Sequence, residues 1–203
     1  MAAMDIKKEV SITKPVRHRR NIMSSQSSLY ITAKNSVTDS VVAPKGGILC
    51  ILYPYVEVEW DMPWRDQVRG AGPNTDESGN IWNVGHLYQP DGTMDIKPRL
   101  ILLNYPNGGG NLPKALKWAR SQGLENTWPQ EAFAIGKQHP EFRENVKQGL
   151  AVNVVATTKC VFLEPKRTLV CCVWFGKKAG WRQAATHGPE QFCSLYTWFA
   201  FRR

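Results

Sequence analysis

The sequence predicts an α+β fold: a mostly antiparallel sheet, with two helices inserted before a C-terminal β block and a basic N-terminal arm ahead of it. Three observations carry this. Gly149–Arg203 is dense in Val, Cys, Thr and aromatic residues broken by Pro, Gly and Lys clusters, the signature of successive strands and hairpins. Leu112–Gly123 and Glu131–Lys147 carry apolar residues at helical spacing. Residues 1–28 have neither periodicity nor hydrophobic mass. A β-sandwich with a helical insertion satisfies the same element order and is the alternative. A chain of 203 residues fits a single domain over 29–203 behind the arm.

In the arm, KPVRHRR precedes SSQSS, so an extended segment is expected. Leu29–Lys34 reads as a short strand. Ile48–Trp60 begins as an apolar run and then alternates, with Val56, Val58 and Trp60 on one side and Glu57, Glu59 and Asp61 on the other. Pro54 inside it predicts an edge strand or a bulge. Residues 62–80, rich in Gly, Pro, Asn and Asp, read as a mobile surface loop. Ile81–Tyr88, the turn Pro90–Thr93 and Met94–Lys97 predict a hairpin through Asp91-Gly92. Arg99–Tyr105 is the candidate fully buried strand. In the first helix Asn111 is the expected cap, Pro113 suits the first turn and Gly123 ends it. The second helical stretch is expected to break near Gly136 or His139-Pro140. In the last strand, alternation sets Tyr196, Trp198 and Ala200 against Thr197, Phe199 and Phe201.

The net charge of +9 favours an anionic partner. Residues 1–20 carry six basic against two acidic side chains, and residues 159–203 eight against two, while residues 39–95 hold nine acids against three bases. Five cysteines without regular spacing or a CxxC pair read as free thiols in a reducing compartment, with no structural zinc. The N-terminus lacks the apolar core of a secretory signal and no run reaches membrane-spanning length. The expectation is a soluble cytoplasmic or nuclear protein, or one carried within a virion.

Two constellations bear on function. Sequence-tolerant binding to nucleic acid needs flat rings for bases and cations along the phosphate path. FGKKAGWR and YTWFAFRR supply both, through Lys177, Lys178, Trp181, Arg182, Trp198, Arg202 and Arg203, and Arg17, Arg19 and Arg20 add phosphate contacts from the arm. The second is the carboxylate row Glu57, Glu59 and Asp61, whose shared strand face is a candidate divalent-metal site. Asp95-Ile96-Lys97 resembles the acid-x-Lys element of metal-dependent nucleases. A Gly-rich turn, Asn104–Gly110, feeds a helix N-terminus without the Walker or GxGxxG pattern. Cys50 or Cys193 with His86 or His187 makes only a paper nucleophilic pair, and buried thiols with surface imidazoles fit better.

The leading expectation is a non-enzymatic nucleic-acid-binding protein, RNA or DNA, of viral or mobile-element origin and without a cofactor. A metal-dependent nuclease is the second reading. A structural, coat or inhibitor protein, docking on an acidic protein or on itself, is the third.

Overall fold

The computed structural model describes residues 49–53, 56–90, 92, 94–146, 150–162, 167–192 and 195–203. The arm, the Leu29–Lys34 strand and the Pro54 position lie outside these residues. In chain order the elements are β1 (Leu49–Tyr53), α1 (Trp64–Ala71), β2 (Leu100–Asn104), α2 (Leu112–Ser121), β3 (Glu125–Asn126) and α3 (Pro129–Gln138). They continue with α4 (Phe142–Asn145), β4 (Val152–Ala156), β5 (Cys160–Phe162), β6 (Arg167–Phe175), β7 (Arg182–His187) and β8 (Thr197–Arg202).

The strands form a single open sheet in the order β1-β2-β8-β4-β6-β5, with β7 also on β6 and β3 also on β8. Every described pairing is antiparallel except β4 with β8. The α+β architecture is therefore the observed one, and the sandwich alternative does not hold. The last strand to be made lies at the sheet's centre, flanked by β2 on one side and by β4 and β3 on the other. Thr127 and Thr157 close the seam where β3 gives way to β4. Both hydroxyls donate to the Ala200 carbonyl at 2.8 Å, and each Thr oxygen accepts the other residue's backbone N–H.

Both faces of the sheet are covered. Strand alternation sends Leu100, Leu102, Val154, Cys171, Val173, Trp198 and Ala200 to one face, under α1, α3 and α4. Ile101, Leu103, Val155, Cys172, Phe199 and Phe201 go to the other, under Leu112, Ala115, Leu116 and Ala119 of α2. Such burial on both sides explains the unbroken apolar run of β2, all five of whose residues are buried. It also explains why β8 carries aromatics in both registers: Trp198 meets Phe142 of α4 edge-on at 5.8 Å, while Phe199 and Phe201 meet Tyr105 and Trp118.

Helix α2 begins and ends as its sequence requires. The Asn111 side chain accepts the Lys114 N–H at 3.0 Å, Pro113 occupies the first turn, and Gly123 at φ +68° follows the last turn. The second helical stretch breaks at His139-Pro140, into α3 and α4, and runs straight through Gly136.

Three expectations are corrected. Residues 62–80 are not a long loop: Trp64, Val68 and Ala71 recur at helical spacing, and α1 forms there and packs on α3. The segment after α1 is pinned as well, because it caps the outer edge of β7. Asn74 N–H donates to the Arg182 carbonyl at 3.0 Å, and Thr75 Oγ1 accepts the Ala184 N–H at 2.9 Å. The third correction concerns residues 81–97. Two 3₁₀ turns, Asn80–Asn83 and Gly85–Leu87, replace the predicted hairpin and bury Ile81, Trp82, Val84 and Tyr88. The alternating segment 56–59 buries Val56 and Val58 as expected but joins no strand: Val58 N–H donates to the Ile96 carbonyl at 2.8 Å, and Glu57 pairs with a side chain. The Gln138 amide accepts the Glu57 N–H at 3.0 Å and donates to the Glu57 carbonyl at 2.6 Å.

Candidate nucleic-acid interface

The basic and aromatic residues singled out in the sequence divide into surface and structural sets. Lys177 and Lys178 are exposed at the β6–β7 turn. The turn is closed by Trp181 N–H donating to the Lys178 carbonyl at 3.0 Å and Gly176 N–H to the Trp181 carbonyl at 2.9 Å. Trp181 is half-buried against Gly176. Arg203 is exposed at the chain end, its N–H on the Arg99 carbonyl at 3.1 Å. Arg17, Arg19 and Arg20 lie outside the described residues.

The structural set is a correction. Trp198 is only 1% exposed and presents no ring face to a ligand. Arg202 is held in an ion pair with Glu125, Nε to Oε2 at 3.0 Å, and its Nη1 lies 4.0 Å from buried Glu131. Arg182 donates from Nε to the Ala71 carbonyl at 3.2 Å, so its cation closes the C-terminus of α1, where the helix dipole favours positive charge. Desolvation pulls its pKa below the ordinary arginine value, partly offset by the nearby Glu141 carboxylate.

That contact brings together pieces that are distant in sequence. Arg65 and Arg69 are exposed, four residues apart on one face of α1, and α1 ends at the carbonyl that takes Arg182. Arg69 sits 5.8 Å over the Trp82 ring and also pairs with Asp66 at 3.6 Å. A second set, Lys114, Lys117 and Arg120, is exposed on α2, which has no acid in its first turn. Sequence reasoning missed both sets. The i, i+4 spacing of Arg65 and Arg69 becomes a signal only once residues 64–71 are known to be helical.

The carboxylate row does not assemble into a metal site. Among the described residues no group of three or more His, Cys, Asp or Glu side chains is arranged to hold a metal ion. Glu59 is bridged by Lys137 Nζ at 2.5 Å, Glu57 stays exposed, and Asp61 lies in the turn beyond the extended segment. Asp95 caps its own turn by accepting the Lys97 N–H at 2.8 Å. In the Asn104–Gly110 loop Gly108 N–H donates to the Tyr105 carbonyl at 2.9 Å, and Lys114 Nζ of α2 donates to the Gly109 carbonyl at 2.5 Å. Cys160, Cys171 and Cys172 are buried free thiols, and burial raises the Cys171 and Cys172 pKa well above the ordinary range. His187 is engaged with Gln191 at 2.9 Å, while the side chains of Cys50 and Cys193 fall outside the description.

A cleft of about 580 Å³ opens beside α1, a volume in the range of small-molecule sites. Trp60, Trp64, Trp82 and Tyr88 line it, and every indole N–H is tied to a backbone carbonyl: Trp60 to Asp95 at 3.0 Å, Trp64 to Ile81 at 2.6 Å, Trp82 to Asp76 at 2.7 Å. The rings are thus fixed in place by their polar edges. Gly85 makes room for this, since a Cβ there would stand 2.5 Å from Trp64 Cγ. Gln67, Asn83, Gln89 and Gln130 form the polar part of the wall, and Arg65 and His86 stand exposed on it.

Comparison of the chain with protein-family models, with curated proteins and with solved structures finds no match. The functional reading therefore rests on the residues themselves.

Proposed function

We propose that the protein binds nucleic acid without catalysing a reaction on it, using one cationic and aromatic edge. The observation that carries this reading is the Arg182–Ala71 hydrogen bond, which joins the Lys177–Lys178 turn to the helix bearing Arg65 and Arg69. Phosphates need mobile surface cations, and these four side chains are exposed. Trp181, Trp60 and Trp64 are half-buried beside them and retain partial ring exposure for stacking. Arg17, Arg19, Arg20 and Arg203 add charge to the same task, whereas Trp198 and Arg202 are committed to the core and to Glu125. The test is a fluorescence-anisotropy titration with labelled single-stranded RNA, single-stranded DNA and duplex DNA at two salt concentrations, with Mg²⁺ or EDTA. Salt-sensitive binding with intact probe, weakened by a combined Lys177→Ala, Lys178→Ala and Arg65→Ala change, is the expected result. Failure to bind at low salt overturns the reading, and Mg²⁺-dependent cleavage of the probe overturns its non-enzymatic half.

A further inference from the structure

Helix α2 covers the side of the sheet opposite α1, and its outer surface is cationic. Leu112, Ala115, Leu116 and Ala119 are buried against the sheet. Lys114, Lys117 and Arg120 are left exposed at three-residue spacing, neighbours about 4.5 Å apart along the axis. The helix contains no Asp or Glu, and none of the three cations has an ion-pair partner among the described residues. The sheet adds two more. Leu100 pairs with Arg202, and the Arg203 N–H donates to the Arg99 carbonyl at 3.1 Å, so the β2–β8 ladder runs on by one pair. Alternation sets Arg99 and Arg203, both exposed, on the side of Ile101 and Phe201, where Trp118 of α2 packs against Phe201. The same alternation turns Arg202 and its partner Glu125 to the α3 side, where Arg202 also approaches Glu131. Glu190, the acid that follows β7, comes after a strand three places from β8.

We infer that α2, with Arg99 and Arg203 beside its C-terminal end, is a second phosphate-binding surface, and that one molecule therefore holds two strands of nucleic acid at once. The inference rests on the nucleic-acid reading above and extends it. The cations of that reading sit elsewhere. Arg65 and Arg69 belong to α1, on the other side of the sheet, and the Lys177–Lys178 turn leads into β7, four strand positions or about 19 Å from β2. A strand laid on one surface leaves the other open. An anionic membrane is the other large partner that a basic helix can fit, but a lipid-binding helix buries its apolar face in the bilayer. The apolar face of α2 is spent on the sheet, and apart from Pro113 its exposed positions are polar.

The test uses the full chain and probes of about ten nucleotides, within the span that one small domain covers. Single-stranded RNA, single-stranded DNA and duplex DNA are each supplied as a mixture of donor-labelled and acceptor-labelled copies, with the protein limiting. Energy transfer between copies is followed beside anisotropy, and light scattering gives the oligomeric state. Transfer is expected with every probe that binds, at about two strands per protein. Lys114→Ala, Lys117→Ala and Arg120→Ala together should abolish the transfer and leave about one strand per protein. The parent protein's transfer needs no variant and stands even if the triple change impairs folding. Binding without transfer overturns the second surface alone, whereas no binding of any probe at low salt overturns the nucleic-acid reading itself. A triple variant that binds nothing makes α2 the single surface and overturns the two-strand inference. Transfer that survives the triple change in a protein that light scattering shows to be a dimer assigns bridging to self-association, and overturns it too. So does binding to phosphatidylserine vesicles that the triple change abolishes, with no transfer between strands.

Discussion

The Arg182 guanidinium donates from Nε to the carbonyl of Ala71 across 111 residues of chain, and also from Nη1 to the Gly180 carbonyl at 3.3 Å. One basic residue of the β6–β7 hairpin is therefore a structural fastener, while its neighbours Lys177 and Lys178 face solvent. The two roles separate experimentally. Arg182→Ala loses a charge-assisted hydrogen bond at a helix C-terminus and should lower stability by about 1–2 kcal/mol in urea unfolding. The double change Lys177→Ala and Lys178→Ala should leave stability within about 0.5 kcal/mol and weaken nucleic-acid binding instead. An Arg182→Ala protein of unchanged stability would show that the fastening is not made in solution.

Much of this arrangement is legible in the sequence where a long periodic pattern exists. The β8 alternation separates Trp198 from Phe199 correctly, and Asn111, Pro113 and Gly123 bound α2 as read. What the pattern leaves out is that β8 sits at the sheet's centre with helices on both faces, which turns Trp198 from a surface candidate into core. Helix α1 has eight residues and is followed directly by Gly, Pro, Asn and Asp, so turn composition outweighs two turns of periodicity. Over Ile81–Tyr88 the same few apolar residues fit a strand or a pair of 3₁₀ turns, and packing against α1 decides. The cleft is less legible still. Gln130 reaches it from α3, sixty-three positions beyond Gln67, and no local spacing announces that the two side chains meet there.

Gly136 lies in the last turn of α3, three residues before its C-cap His139, and in a helix alanine is favoured over glycine by up to about 1 kcal/mol on propensity alone. A Cβ there would stand 2.8 Å from the Ala71 carbonyl oxygen and 2.9 Å from Val173 Cγ1. Neither backbone nor core side chain has room to yield, so Gly136→Ala should destabilise by about 1–3 kcal/mol despite the better propensity. Because Ala71 also takes Arg182, the substitution should additionally loosen the hairpin, read as faster amide exchange in β7. A neutral or stabilising result would mean that α1 and α3 are not in close contact.

The arm arginines enter through salt dependence. Each phosphate neutralised on a single strand contributes about −0.7 to the slope of log K against log salt. Replacing Arg17, Arg19 and Arg20 together by alanine should make the slope shallower by about 2, with little change in preference among bases. Anisotropy titrations at four or five salt concentrations measure it. An unchanged slope would take the arm out of the binding surface and leave the α1 and hairpin cations to carry the charge.

Glu131 sets a pH dependence of a sign opposite to the usual carboxylate. It is 0% exposed; desolvation raises its pKa from 4.5 to about 7, against the opposing pull of the Trp128 N–H and the Arg202 cation. Its Oε2 accepts that N–H at 2.7 Å, whereas its Oε1, 4.0 Å from Arg202, has no hydrogen-bond partner among the described residues. Between about pH 4.5 and 7 the folded chain keeps a proton that the unfolded chain releases, so stability must fall as pH rises through that window. At about 1.4 kcal/mol per pKa unit the loss amounts to a few kcal/mol, complete above pH 7. Asp76, whose pKa the Ser78 N–H lowers, and Glu144, lowered by Arg143, act in the opposite sense and below that window. Glu131→Gln retains an oxygen for the Trp128 N–H and removes the titration. Its urea midpoint should be flat from about pH 5 to about pH 8 while the parent's declines, and the variant should be the more stable protein at the alkaline end. A parent protein that gains stability over that range would show Glu131 to be ionised and paired with Arg202 throughout.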